Sequence, residues 1–120
     1  MKTAVTSTGK TLDSPVDPRF GRAACFIIVD APSGEFEAHD NAQNLNAAQG
    51  AGIQAAQTLS RLGVGVVITG HCGPKAFRTL RAAGIQVVVG AEGTVREAVE
   101  RFKRGELKPS EAADVEGHWS

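Results

Sequence analysis

The sequence has little cysteine, no net charge and no long hydrophobic run, and each absence excludes a class of protein. Only two cysteines, Cys25 and Cys72, occur in 120 residues, too few for a disulfide scaffold. The 13 Lys and Arg equal the 13 Asp and Glu and are interleaved with them, which argues against a nucleic-acid-binding surface. No apolar stretch is long enough for a signal peptide or a membrane span. We therefore expect a cytoplasmic protein with reduced thiols, no nucleic-acid partner and no membrane association.

The signatures of several enzyme classes are also missing. The sequence has no P-loop, no G-x-G-x-x-G and no G-x-S-x-G, and neither C-x-x-C nor H-x-x-x-H occurs to indicate structural zinc. The first predicted strand carries no carboxylate, which disfavours two-metal nuclease chemistry. Cys–His hydrolysis would need His39 or His71 as the base for Cys72, and chain neighbours such as His71 and Cys72 rarely face each other. These absences discount the enzyme classes named here.

The chain does contain the alternating strand and helix patterns of an α/β domain. Strands are predicted at residues 3–6, 25–30, 35–39, 64–69 and 85–89. Helices are predicted from Ala47 to a stop at Gly63, over residues 74–83, and from a Thr94–Glu97 capping box to Gly105. The order predicts a three-layer α/β fold, with a five-stranded mixed sheet and helices on both faces. The sheet should be antiparallel at the early hairpin and parallel in its second half.

Two stretches lack any periodicity. Residues 7–24 are rich in Ser, Thr, Gly, Pro and Asp and predict a long loop, which is either functional or a disordered surface excursion. Residues 106–120 predict a mobile or loosely docked tail. The tail holds the only tryptophan, Trp119, which either docks on the body or a partner or is simply exposed. The chain is thus predicted to be one domain over residues 1–105, followed by a tail over residues 106–120.

A candidate site follows the strand predicted at residues 64–69. Ligands of α/β sheets gather beyond the carboxyl ends of parallel strands, where His71 and Cys72 precede a helix that begins at Pro74. An imidazole, a thiol and Lys75 should therefore lie beside the N–H groups of a helix N-terminus, which suits a soft anion. Such surroundings favour the thiolate form of Cys72, the form that binds metals. The alternatives are a small buried cysteine and a hydrogen-bonded loop histidine.

The long loop contains a second candidate element, two arginines that flank an aromatic residue and a glycine. In order, these residues are Arg19, Phe20, Gly21 and Arg22. A guanidinium fork of this kind suits oxyanion or thioanion recognition through charge-assisted hydrogen bonds. The alternative is a solvated loop with Phe20 tucked onto the core. Further amide side chains, Asn44 among them, precede the first helix, where Asn46 is most simply the N-cap.

Taken together and in this order, the motifs resemble the dinitrogenase iron–molybdenum cofactor biosynthesis family over residues 2–104. The resemblance rests on D-P-R-F-G-R at 17–22, F-I-I-V-D at 26–30, Asn44 before a Gly- and Ala-rich helix, V-V-I-T-G at 66–70, G-P-K-A at 73–76 and G-I-Q-V at 84–87. It implies a ribonuclease-H-like fold. It also implies an anionic metal–sulfide cargo, either a molybdenum–copper sulfide cluster or an iron–molybdenum–sulfur cofactor precursor.

The residues and the resemblance lead to one hypothesis, a non-catalytic carrier or scaffold that holds the cluster non-covalently. The expected cofactor-binding residues are Arg19, Phe20, Gly21, Arg22, Asn44, His71, Cys72, Gly73 and Lys75. Cys72 and His71 are the candidate direct metal ligands, and a cluster-donor or cluster-acceptor protein is the implied partner. The alternative is a regulatory or assembly module that binds a protein partner without a stable cluster. An enzyme that uses Cys72 ranks last.

Overall fold

Strands and helices alternate along the chain in the computed structural model, which describes residues 2–30, 33–41 and 51–110. The strands are β1 (Lys2–Ser7), β2 (Cys25–Asp30), β3 (Glu35–Asp40), β4 (Val64–Ile68) and β5 (Gln86–Val88). The helices are α1 (Ala51–Arg61), α2 (Pro74–Ala82) and α3 (Val95–Lys103). Each predicted element is present, with ends that agree to within two residues, apart from the predicted start of the first helix at Ala47, which lies outside the described residues.

The strands form one mixed sheet in the order β3-β2-β1-β4-β5. β2 runs antiparallel to both β1 and β3, whereas β1, β4 and β5 are parallel. Val5 in β1 is paired with Ile27 on one side and with Ile68 on the other. The continuous apolar runs of β2 and β4 follow from burial on both faces of the sheet. The predicted mixed sheet is confirmed.

Helices cover both faces of this sheet, as predicted. α1 and α2 lie on one face, where Leu59 and Leu80 share a buried cluster with Phe26 of β2. α3 lies on the other face, where Val95 shares a second cluster with Ile27. Burial of each such side chain contributes about 1.5–3 kcal/mol, so the two clusters hold the three layers together.

Local sequence signals place the starts of α2 and α3. Pro74 occupies the first turn of α2, where a missing N–H costs nothing and the fixed φ suits the helix. At the start of α3, the Glu97 N–H donates to the Thr94 hydroxyl at 3.1 Å, and the Thr94 N–H donates to the Glu97 carboxylate at 2.9 Å. This is the predicted capping box.

The long loop after β1 is irregular, but backbone hydrogen bonds fix it to the body. The Thr8 N–H donates to the Pro15 carbonyl at 3.0 Å, and the Val16 N–H donates to the Gly93 carbonyl at 2.9 Å. The loop also accepts a hydrogen bond from the first turn of α3, where the Val95 N–H donates to the Ser14 carbonyl at 2.9 Å. The backbone groups of the loop thus find partners within the loop and at the start of α3.

The residues that follow α3 return to the sheet. Leu107 is buried against the cluster beneath α3, and the Ser110 N–H donates to the Val87 carbonyl of β5 at 2.7 Å. The beginning of the predicted tail thus lies along β5, whereas Trp119 lies outside the described residues. Of the helices in the described ranges, none combines the length and the apolar character that crossing a bilayer requires.

Candidate functional site

Two of the predicted site segments meet at the carboxyl ends of β1 and β4. Because these strands are parallel neighbours, the loops that follow them leave the sheet at the same end. The Arg19 and His71 backbones form a bridge there, and the His71 N–H donates to the Pro18 carbonyl at 2.7 Å. The structure therefore brings the arginine loop against the turn that precedes α2, a contact between segments that sequence analysis identified separately.

Gly70 permits this close contact. A Cβ atom at Gly70 would lie 2.7 Å from the Pro18 Cα and 2.9 Å from the Pro18 carbonyl oxygen. Both of these are backbone atoms, which cannot rotate aside as a flexible side chain can. A residue with a side chain would therefore push the loop away from the end of β4.

A buried polar network holds the start of the loop. The Thr6 hydroxyl donates to the Asp17 carbonyl at 2.7 Å and shares a hydrogen bond of 3.0 Å with the Thr69 hydroxyl. The Asp17 N–H donates to the Thr6 carbonyl at 3.0 Å. Because all three residues are buried, these hydrogen bonds satisfy polar groups that water cannot reach. The network attaches the arginine loop to the ends of both β1 and β4.

Asp17 also orients the first arginine of the loop. Its carboxylate is nearly buried, with 4% of the side chain exposed, whereas 41% of the Arg19 side chain is exposed. Asp17 Oδ1 accepts from the Arg19 N–H at 3.0 Å and lies 3.5 Å from Arg19 Nε. The guanidinium is thus held at one side and accessible at the other. Since Asp17 offsets part of its charge, attraction of an anion also requires other cations and N–H groups.

The centre of the loop packs into the protein. Phe20 is fully buried, and its ring centroid lies 5.8 Å from that of Phe26. This is the alternative placement predicted for Phe20, and it leaves the flanking arginines at the surface. At Gly21 a Cβ atom would lie 2.5 Å from the Gly52 nitrogen in the first described turn of α1. Asn41 Nδ2 donates to the Gly21 carbonyl at 3.1 Å, so the loop is held from this side as well.

The turn before α2 supplies an imidazole, a buried thiol and a helix N-terminus. His71 is half-buried, and Cys72 is fully buried within the same core cluster as Phe20. A metal bond to the Cys72 sulfur would therefore require this turn to open. Gly73 is the N-cap of α2 and supplies no side-chain cap, and the exposed Lys75 lies in the first helical turn. Positive charge and N–H groups thus lie together at this helix end.

The other cysteine has surroundings typical of a structural residue. Cys25 is buried at the start of β2, and its thiol donates to the Gly9 carbonyl at 2.6 Å. Burial raises the pKa of Cys25, and a hydrogen bond with Ser7 offsets part of that rise. The neutral thiol is therefore the favoured form at Cys25, which disfavours metal binding there.

The arrangement suits an anion that needs few metal–protein bonds. Across residues 2–30, 33–41 and 51–110, no group of three or more His, Cys, Asp or Glu side chains is placed to hold a metal ion. Asn44, the remaining predicted binding residue, lies outside the described residues. The Arg19 backbone bridges to His71, so an arginine lies beside the turn that leads into α2, whose first turn holds Lys75. Guanidinium, ammonium and N–H groups of this kind bind anions through charge-assisted hydrogen bonds.

Sequence analysis missed the residues that hold the site in place. Thr6, Thr69 and Gly70 lie at strand ends in runs that look like ordinary β sequence, and Asn41 was noted only as one of the amide residues before the first helix. Asp17 belongs to the D-P-R-F-G-R motif, but nothing in the motif shows that it orients Arg19. A polar residue at the last position of a buried parallel strand is the one signal that could have indicated Thr69.

Comparisons with known proteins find related sequences and structures. A family model described as dinitrogenase iron-molybdenum cofactor matches residues 1–105. The apo form of the orange protein from Desulfovibrio gigas is 48% identical, with a TM-score of 0.93 over 95% of this chain and 96% of that one. A NifB-like protein from Thermotoga is 40% identical, with a TM-score of 0.84 over 97% of this chain and 98% of that one. An uncharacterised protein of Methanocaldococcus jannaschii is 30% identical over 98 residues, which cover 80% of this chain and 83% of the relative.

Proposed function

The chain belongs to the dinitrogenase iron–molybdenum cofactor family, and we propose that it is a non-catalytic carrier or scaffold for an anionic molybdenum-containing metal–sulfide cluster. Its family and its likeness to the orange protein indicate a role in cofactor binding or cofactor biosynthesis. The observation that carries the finer proposal is the contact of the Arg19 loop with the His71 turn at the N-terminus of α2. The contact supports the proposal because the loop that carries Arg19 lies against the turn before α2, whose first turn carries Lys75.

The proposed cargo matches these groups in charge and in softness. A metal–sulfide cluster presents several negative charges on sulfur atoms, which accept hydrogen bonds from guanidinium and backbone N–H groups. One pair of unit charges 4 Å apart gains about 1 kcal/mol in bulk water and about 4 kcal/mol at the effective dielectric constant near a protein surface. Contacts with Arg19, Arg22 and Lys75 would together approach the roughly 8 kcal/mol of micromolar binding. No covalent bond to the protein is required.

His71 and Cys72 are the candidate ligands for any metal bond that supplements these charge-assisted contacts. Copper favours thiolate and imidazole ligands, so a molybdenum–copper sulfide cluster fits this pair better than a purely molybdenum species does. The half-buried imidazole of His71 lies at the bridge to Arg19, whereas the thiol of Cys72 lies beneath the turn. An iron–molybdenum–sulfur cofactor precursor is the alternative cargo. In either case a carrier implies a donor or an acceptor protein.

Titration of the apo-protein with tetrathiomolybdate, with and without copper(I), tests the proposal. After desalting, wild-type protein should keep a visible absorption band and a fixed ratio of molybdenum to protein. The double variant Arg19→Gln, Arg22→Gln should bind the cluster about thirty- to several hundredfold more weakly, because each of the two lost cations removes about 1–2 kcal/mol of attraction. The matched control is Arg101→Gln, Arg104→Gln, which removes two arginines from the other face of the sheet.

The outcomes separate the parts of the proposal. Equal retention by the double variant and the wild type would refute electrostatic binding at the loop. Retention of molybdenum but loss of the copper-dependent band in His71→Ala or Cys72→Ala would identify a direct ligand. If the wild-type protein retains no molybdenum or iron–sulfur species, the cargo is wrong. A module that binds a protein partner would then be the better explanation.

A further inference from the structure

The helical layer formed by α1 and α2 carries positive charge only. Residues 41–91 contain no Asp and no Glu, so the interleaving of charges along the whole chain does not extend to this stretch. Its basic residues on the two helices are Arg61, Lys75, Arg78 and Arg81. Because α1 and α2 lie side by side on one face of the sheet, these charges share one surface of the molecule.

These four side chains have no carboxylate partner within the described part of the chain. Arg61 donates to the Thr58 hydroxyl at 3.3 Å, and the Arg81 guanidinium lies 6.0 Å from the ring centroid of Phe77. The arginines of the α3 region differ, since Arg96 pairs with Asp13, and Arg101 and Arg104 pair with Glu106. Within the described residues, the arginines of the α1/α2 face are thus available to an external anion, whereas Arg96, Arg101 and Arg104 are paired with carboxylates.

A groove runs between α1 and α2 beside these charges. Its volume is about 480 Å³, and it is lined by Ala56, Gln57, Ser60, Arg61, Thr79 and Ala83. The lining consists of small and polar side chains, with no aromatic side chain on which a nucleic-acid base could stack. Among the described residues the one exposed large hydrophobic side chain is Phe36, on β3, so this face offers nothing to insert into a bilayer.

We propose that this groove and the surrounding cations form a docking surface for an acidic helix of a partner protein. Small side chains of that helix would enter the groove, and its carboxylates would contact Arg61, Arg78 and Arg81. Lys75 lies in the first turn of α2, so a partner docked on this face lies next to the turn that contains His71. The surface is therefore placed for transfer of a ligand between two proteins. The proposal does not depend on the nature of the cargo, because it concerns the apo-protein.

Two synthetic helical peptides of about 18 residues, a length at which an Ala-rich helix forms, probe this surface. They share an Ala-rich sequence and differ in carrying Glu or Gln at the same positions. Added to isotope-labelled apo-protein, the Glu peptide should shift the amide resonances of Gln57, Ser60 and Thr79, and its affinity should fall as salt is added. The Gln peptide should leave these resonances in place.

The variant Arg61→Gln, Arg78→Gln, Arg81→Gln should bind the Glu peptide about tenfold more weakly, given the modest strength of exposed ion pairs. Lys75 is left intact, because it belongs to the candidate cluster site. The matched control, Arg96→Gln, Arg101→Gln, Arg104→Gln, should bind within about twofold of the wild type, since its charges lie on the opposite face.

Several results would overturn the proposal. One is equal binding of the Glu peptide by both triple variants, and another is a set of resonance shifts confined to other surfaces. Tighter binding of single-stranded DNA or of anionic vesicles than of the Glu peptide would assign the surface to another class of partner. If amide resonances on both the α1/α2 face and β3 shift with protein concentration in the absence of peptide, the surface binds a second copy of the chain. None of these results bears on retention of tetrathiomolybdate, so the two proposals fail independently.

Discussion

Replacement of Gly70 by alanine should displace the arginine loop while leaving the rest of the fold in place. The new Cβ atom would lie 2.7 Å from the Pro18 Cα, whereas ordinary van der Waals contact begins at 3.4 Å. The two segments must therefore part by about 0.7 Å, the difference between these distances. A similar displacement would stretch the 2.7 Å hydrogen bond from the His71 N–H to the Pro18 carbonyl out of its normal range.

The expected cost follows from these two contacts. Overpacking of this kind costs about 1–3 kcal/mol, and the lost hydrogen bond adds about 0.5–1.5 kcal/mol. We expect a loss of about 2–4 kcal/mol in the free energy of unfolding and a fall of about 10 °C in Tm. Because Arg19 moves with Pro18, retention of tetrathiomolybdate should fall severalfold.

Gly63→Ala is the matched control for this substitution. Gly63 lies between α1 and β4 at the other end of the strand, with φ +78° and no atom within 4 Å of the place that a Cβ atom would occupy. Alanine there costs about 1 kcal/mol through backbone strain alone. Urea unfolding and metal analysis after desalting should therefore show a modest loss of stability and full retention of molybdenum.

Two results would refute the reasoning about Gly70. If Gly70→Ala unfolds within about 0.5 kcal/mol of the wild type and retains its cargo, the loop does not depend on contact with the end of β4. If Gly70→Ala and Gly63→Ala lose retention equally, the loss reflects general stability. The contact between Pro18 and Gly70 would then have no particular role in binding.

Three further predictions concern stability measured by urea unfolding. The hydrogen bond from the Thr94 N–H lowers the pKa of Glu97 below its ordinary value of 4.5. The wild type should therefore be more stable than Glu97→Ala above that pH, and this difference in the free energy of unfolding should shrink as acid protonates the carboxylate. Burial raises the pKa of Cys25 above its ordinary value of 9.0. The wild type should therefore lose stability relative to Cys25→Ala as the pH rises beyond 9, because the unfolded chain ionises first. Below that pH the difference in the free energy of unfolding should be constant. Thr6→Val should cost about 1–3 kcal/mol at all these pH values, because the buried Asp17 carbonyl loses its donor, and an unchanged unfolding midpoint would contradict this role.

The fold could be predicted from the sequence because its signals are local and periodic. The apolar run of Cys25–Asp30 indicated a strand buried on both faces, and the Thr94–Glu97 pair indicated the start of a helix. The general rule that loops after parallel strands share an edge also placed His71 correctly relative to the sheet.

The assembly of the site could not be predicted, because it depends on contacts between distant parts of the chain. Whether Phe20 would bind a ligand or enter the core is decided by Phe26 and the helices that cover it, which no local pattern reveals. The buried position of Cys72 is likewise set by packing beneath the turn. The positive α1/α2 face escaped notice because charges were compared over the whole chain instead of over each layer.

The two outer strands of the sheet, β3 and β5, differ in a way that bears on self-association of the protein. Ser110 lies along β5 and donates to Val87, whereas β3 is the last strand at the other end and exposes Phe36. Glu35 and Glu37 flank this phenylalanine, and like charges on an edge strand keep two molecules from pairing. Removal of both charges, as in the variant Glu35→Gln, Glu37→Gln, should therefore invite edge-to-edge aggregation, whereas lysine at these two positions should keep the protein dispersed.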